Sequence, residues 1–356
     1  MIPALIFLFL AWQSSSPEAL QHMQAGAAAE KSGNFSQAIV EYRKATELAP
    51  TIAAGFVSLG QAYLENRDYG GAIPPLKQAV KLDPDLRPAH QLLGYALLAY
   101  GYPTEAVSHL EKVGDQAALG IAQLEAGRLP EAVTNLQAAL AKNPNDSDLL
   151  YYFGRASGLL SKQAIDSLLA SYPDSPRAHQ AMAENYYVLR QMPQAEKEFL
   201  EAIRMRPDLP RIHLELGLVY AGTSQWAKAE EAFRAETKLQ PGNAEAAFRL
   251  GNALLQQGKV QAARTELKRS DKLQPEMPET LYSLGKAASL EGDSAAAEKS
   301  WKRVTELEKA TSLAAQAHFS LAGLYRKQGK SEEAAREMQE FNKLQTTNSP
   351  PVESQR

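Results

Sequence analysis

Phe56-Val-Ser-Leu-Gly60-Gln-Ala-Tyr63, followed by Ala72, Leu76 and Pro84, is a pattern that recurs along this chain, and its recurrence decides the fold. A second copy reads Leu214-Glu-Leu-Gly217-Leu-Val-Tyr220, with Ala229, Phe233 and Pro241 at the same offsets. Aligned on the small residue, the copies place landmarks at Gly26, Gly60, Gly94, Gly120, Gly154, Ala183, Gly217, Gly251, Gly285 and Ala322. The successive steps are 34, 34, 26, 34, 29, 34, 34, 34 and 37 residues. Self-similarity at such a period marks a solenoid, in which no unit buries its apolar face alone and stacked neighbours build one continuous core.

Twelve residues after the landmark stands an Ala (Ala38, Ala72, Ala106, Ala132, Ala195, Ala229, Ala263, Ala297, Ala334), and only the fifth unit departs, with Asp166. One helical turn further comes a large apolar residue: Tyr42, Leu76, Leu110, Leu136, Phe199, Phe233, Leu267, Trp301 or Met338. Each unit therefore reads as helix, short turn, helix. The small residues let the two helices approach, and the large one fills the groove left between them. Gly33, Gly101, Gly127, Gly258, Gly292 and Gly329 lie seven residues after their landmarks, where the first helix ends and a positive φ is useful. Pro50, Pro84, Pro144, Pro207, Pro241 and Pro275 close six units, because Pro cannot continue a helix interior. The fifth unit is expected to form a short second helix from about Lys162 to Ser171, ending at Pro173-Asp-Ser-Pro176.

This order of small residue, Ala, large apolar residue and Pro resembles the tetratricopeptide repeat family over residues 19–345. The expected fold is all-α, a right-handed α-solenoid of about ten helix-turn-helix repeats. Three N-terminal repeats (17–112) precede a shortened, irregular stretch (113–176), marked by the 26- and 29-residue steps. A register-keeping C-terminal run (177–345) follows, then a polar tail (346–356) whose composition predicts disorder.

Charge and composition exclude several function classes. Net charge is −3, with 38 basic and 41 acidic residues, so the basic excess that nucleic-acid binding requires is missing. The chain has no Cys, which removes thiol catalysis, thiolate metal sites and disulfides. Met1-Ile-Pro-Ala-Leu-Ile-Phe-Leu-Phe-Leu-Ala-Trp12 is a continuous apolar run, about the length of a signal-peptide core and short for a membrane span. Residues 1–16 are read as a signal peptide or membrane-anchoring segment, which predicts an exported, periplasmic or envelope-associated protein rather than a cytoplasmic one.

No catalytic, cofactor or metal site is expected. His22, His90, His179, His213 and His318 each lie four places before a landmark. Equivalent positions on packed helices stand roughly 8–10 Å apart, too far to share one zinc at about 2 Å, so a packing role is expected. Ser283-Leu-Gly-Lys286 matches the Ser-x-x-Lys spacing of penicillin-binding serine enzymes, but the companion motifs are absent. No Gly-rich phosphate loop or His-Glu-x-x-His occurs.

The family resemblance implies that the first helices line a concave face where a peptide or partner helix lies. Helical spacing assigns to that face Tyr95, Tyr151, Arg155, Tyr187, Arg211, Leu214, Leu218, Phe248, Asn252, Tyr282, Lys286 and Phe319. The Lys–Asn clamp for acidic chaperone tails is missing, since its places hold Met23, Ala27, Leu214 and Leu218. The expected function is a non-catalytic scaffold binding a protein or peptide partner. The alternatives are a membrane-anchored accessory subunit of an envelope complex and an enzyme-associated regulatory protein.

Overall fold

The computed structural model describes residues 16–348. The apolar run 1–12, and with it the signal or anchor reading, lies outside the described residues, as does the tail beyond Asn348. Among the described residues there are nineteen helices and no strand. Before the middle of the chain these are α1 (Pro17–Lys31), α2 (Phe35–Leu48), α3 (Ala53–Glu65), α4 (Tyr69–Leu82), α5 (Arg87–Tyr100), α6 (Pro103–Val113), α7 (Gln116–Glu125), α8 (Leu129–Lys142) and α9 (Ser147–Ser171). Then come α10 (Pro176–Val188), α11 (Met192–Met205), α12 (Ile212–Gly222), α13 (Trp226–Leu239), α14 (Ala244–Gln256), α15 (Val260–Leu273), α16 (Pro278–Leu290), α17 (Ser294–Leu307), α18 (Ser312–Lys327) and α19 (Ser331–Asn348). They fall into two compact units, divided within α9 between Asp166 and Ser167. No helix among the described residues is long and apolar enough to cross a membrane.

Local chemistry sets the helix ends. Asn34, Asp68, Asp115, Asn243 and Asp293 accept a hydrogen bond from the backbone N–H three residues on, which satisfies a donor the helix leaves free. Asn34 is thereby a helix cap. The residue seven places after the landmark takes a left-handed conformation, with φ of 76° at Gly33, 93° at Gly101 and 73° at Gly258. Three units reach the same conformation without glycine, at Arg67 (57°), Arg190 (60°) and Ser224 (59°).

The landmark reading holds in the packing. A Cβ built on Gly26, Gly60, Gly94, Gly120, Gly217, Gly251 or Gly285 would fall 2.4–2.7 Å from the large residue sixteen places on. Each Ala twelve places after a landmark is buried, from Ala38 through Ala297 fully so. Successive pairs then share cores: one continuous cluster runs from Ala183 on α10 through Phe199, Phe233 and Leu267 to Ala287 on α16.

Two expectations need correction. The fifth unit is not a helix pair: α9 runs unbroken for 25 residues through the position of the expected turn. Nothing in Gly154-Arg-Ala-Ser-Gly-Leu-Leu-Ser-Lys162 breaks a helix. With Asp166 in place of the packing Ala, nothing draws a second helix back, and a Cβ on Gly154 would meet no atom within 4 Å. The ordered chain also extends past Gln345, since α19 continues to Asn348.

Candidate functional site

The first helices of the C-terminal compact unit form a groove of about 390 Å³. Leu218 of α12 and Trp226 and Phe233 of α13 close one side, Phe248, Arg249, Asn252 and Gln256 of α14 line its middle, and Glu279, Tyr282, Ser283 and Lys286 of α16 face them. Leu313 of α18 completes the lining. The helix period puts these residues together: 248, 249, 252 and 256 fall on adjacent turns of α14, as 279, 282, 283 and 286 do on α16.

The floor is apolar and rigid. Phe248 is 8% exposed and belongs to the core while also lining the groove. Tyr282 is held on both sides, its carbonyl accepting from Trp301 Nε1 at 3.1 Å and its hydroxyl 3.4 Å from Ser320 Oγ. Asn252, Gln256 and Lys286, by contrast, make no side-chain hydrogen bond or ion pair within the described residues. Glu279 sits in the first turn of α16, where the helix dipole favours a carboxylate.

A run of polar contacts crosses the first-helix face from α10 to this groove. Arg177 donates to Gln180 at 2.6 Å, and Gln180 donates to Glu184 at 3.0 Å and to Glu215 at 3.3 Å. Arg211 stands 3.7 Å from Glu215 and donates to Glu245 at 3.4 Å, and Glu245 also lies 3.6 Å from Arg249. Burial, followed by the charge of Glu184, pushes the Glu215 carboxyl up to about 7. Arg249 stacks 5.4 Å from the centroid of Phe248, and its Nε is buried with no hydrogen-bond partner.

The N-terminal compact unit has its own groove of about 580 Å³, lined by Tyr95, Leu98, Ile121, Glu125 and Tyr152. The polar groups of Tyr95 and Glu125 are already engaged. The Tyr95 hydroxyl donates to Asp115 at 2.5 Å and accepts from Gln91, while Arg155 pairs with Glu125 at 2.6 Å.

Five of the residues assigned from helical spacing, Leu218, Phe248, Asn252, Tyr282 and Lys286, therefore meet in one groove. Leu214 does not reach it: it is fully buried, and packs in the core as its place on the α12–α13 seam requires. Arg211 has a structural task at the start of α12, with φ 69° and its N–H on buried Glu236. Tyr187 packs partly buried against the core. Tyr151 is 63% exposed against Tyr152, and Phe319 lies 5.3 Å from Phe341 of α19. Sequence reasoning passed over Arg249, because a lone Arg two places before a landmark carries no motif.

The histidines do more than pack. Nδ1 of His22, His179 and His318 meets Glu41, Glu198 and Glu337 at 2.6–2.7 Å, tying the first helix to the second within one unit. In the third unit the same slot holds two histidines, His90 Nδ1 standing 2.7 Å from His109 Nδ1. His213 instead meets the Pro207 carbonyl. Among the described residues no group of three or more His, Asp or Glu could hold a metal ion.

The tetratricopeptide repeat family model matches residues 23–87, 117–157, 181–242, 214–278 and 282–341. Small glutamine-rich tetratricopeptide repeat-containing protein 2 of Saccharomyces cerevisiae is 26% identical over 131 residues, 35% of this chain and 38% of that protein. Its namesake from Mycosarcoma maydis is 35% identical over 79 residues, 22% of each chain. The alignments thus span less than two fifths of the length of these curated relatives. Among solved structures, yeast Tom70 aligns over 92% of both chains at 14% identity and a TM-score of 0.42. YrrB, described as a TPR protein with an unusual peptide-binding site, aligns over 52% of this chain and 94% of its own, at 17% identity and a TM-score of 0.45.

Proposed function

The chain belongs to the tetratricopeptide repeat family, and from that premise we propose that it is a non-catalytic scaffold holding a peptide segment of a partner protein in the α12–α14–α16 groove. One observation carries this reading: an apolar floor lies beneath polar side chains, Asn252 and Lys286, that have no partner among the described residues. A free amide and a free ammonium above buried aromatic carbon suit a ligand with a polar backbone and an apolar side chain. The Ser283–Lys286 spacing serves this lining.

Site-specific photocrosslinking in the native host tests it. A photoreactive phenylalanine analogue at Asn252 is expected to yield partner adducts, and the same analogue at exposed Lys268 on α15 is not. Equal adducts at the two places would move the interface off the groove.

The apolar run 1–12 supports export or attachment to the cell envelope as the setting of this scaffold. Fractionating the full chain beside one beginning at Glu18 tests that part, and equal recovery of both in the cytosol would refute it.

A further inference from the structure

We propose that the groove takes a peptide segment in which an aspartate or glutamate stands beside a bulky apolar residue, the carboxylate on Arg249 and the apolar side chain on Phe248 and Tyr282. This rests on the groove reading above and adds the chemistry of the occupant.

Arg249 carries the argument. Its guanidinium has five N–H donors, and its one acidic neighbour, Glu245, lies 3.6 Å away and is shared with Arg211. Its Nε is buried without a hydrogen bond, the only such side-chain nitrogen or oxygen among the described residues. Burial closes Nε itself to a docking ligand, but the side chain as a whole is 41% exposed, so a ligand meets the guanidinium through its terminal N–H groups. A planar carboxylate fits the guanidinium edge through two parallel bonds, which a neutral amide or hydroxyl cannot match.

Charge points the same way. Arg249 and Lys286 line the groove against one carboxylate, Glu279, which the α16 dipole already holds. Just outside, Glu245 serves two arginines, and Glu215 beside Arg211 is held protonated up to about pH 7 by burial and by Glu184. Inside the groove two cations, Arg249 and Lys286, thus stand over the apolar floor with Glu279 as the one carboxylate among the lining residues. The 390 Å³ between Phe233, Phe248 and Tyr282 admits one large side chain and leaves Asn252 for the peptide backbone. A nucleic-acid backbone needs a longer basic track than the two cations here supply, in a chain of net charge −3.

The test uses the full chain and peptides selected from a displayed random dodecapeptide library, with affinities read by fluorescence anisotropy. Selected peptides are expected to pair Trp, Phe or Leu with Asp or Glu within a few positions. Exchanging that acid for its amide is expected to weaken binding about tenfold, the size of one charge-assisted hydrogen bond. Arg249→Gln should erase the difference between acid and amide, and Arg249→Glu should turn the preference toward Lys. Lys286→Glu, at an exposed position, gives a second charge reversal that leaves the core untouched. If acid and amide peptides bind alike while Asn252→Trp still blocks both, the occupant chemistry is wrong and the groove stands. Peptides indifferent to Asn252→Trp, or a selection that yields no peptide, would sink the groove reading itself.

Discussion

Gly285 lies against the indole of Trp301, sixteen residues on in the sequence, so closely that a Cβ at 285 would fall 2.4 Å from Nε1. That nitrogen donates to the carbonyl of Tyr282, so the contact that closes the ninth unit also fixes a wall of the groove. The relation recurs with Gly217 and Phe233 and with Gly251 and Leu267, and it makes glycine a packing requirement in these units, whereas Ala183 and Ala322 hold the landmark in two others. It fails at Gly154, where no second helix returns.

Gly285→Ala and Gly154→Ala should therefore act in opposite directions. At 285 the added methyl forces the indole aside, costing about 1–3 kcal/mol, against about 1 kcal/mol gained in helix propensity. At 154 only the propensity gain remains, roughly 0.5–1 kcal/mol. Urea unfolding followed by circular dichroism reads both, and a stabilising Gly285→Ala would remove the close-approach account.

Ser224, Arg67 and Arg190 occupy left-handed turns that six other units fill with glycine. An L-residue there costs about 1–2 kcal/mol, of which glycine's extra chain entropy returns a part. Ser224→Gly is expected to raise stability by about 0.5–1 kcal/mol. No gain in unfolding midpoint at any of the three positions would count against strain at these turns.

The His90–His109 pair should make the third unit acid-sensitive. Burial chiefly, then the charge of His90 with Lys112 and Lys77, lowers His109, against Glu105 which raises it. Because the folded value lies below the unfolded one, the unfolded chain takes up the proton first. Stability is therefore complete above about pH 6.5 and is lost as pH falls below it. The Nε2 of His90 is committed to the Pro84 carbonyl at 2.8 Å, so a second proton on the pair sets two N–H groups face to face. His109→Glu recreates the His–Glu contact of three other units and should flatten thermal midpoints between pH 7 and pH 5. Parallel curves for both chains would show that the pair does not govern acid sensitivity.

Repetition made most of this fold legible. The landmark, the Ala, the large residue and the turn glycine are short-range packing needs that return in every unit, so each copy corrects the reading of the others. The fifth unit escaped because its turn was inferred from period alone, whereas Gly154 to Ser171 contains no Pro and its two glycines are carried inside one helix. Helical spacing found Leu218, Phe248, Asn252, Tyr282 and Lys286, since one face of α14 meets one face of α16 with α12 beside them. It misplaced Leu214, whose face turns inward where α12 meets α13. Arg249 and the Gln180–Glu184–Glu215 contacts were not legible, because they join first helices of neighbouring units through side chains without a repeat signature.

Glu215 gives the last prediction. Its carboxyl is raised to about 7 by burial first and by Glu184 next, so the folded chain keeps a proton that the unfolded chain releases near 4.5. The sign follows: between about pH 4.5 and 7 the folded state binds more protons, so this group removes stability as pH rises, and the loss is complete above 7. Glu215→Gln mimics the protonated acid at every pH and is expected to raise the urea midpoint at pH 8 while leaving it unchanged at pH 4.5. Ionised Glu215 also draws on Arg211, 3.7 Å away, which frees Glu245 to neutralise Arg249. Acidic peptides should accordingly bind the groove more weakly at pH 8 than at pH 6, and the Glu215→Gln chain should lose that difference. Equal pH dependence in the two chains would show that the carboxyl pair and the groove are uncoupled.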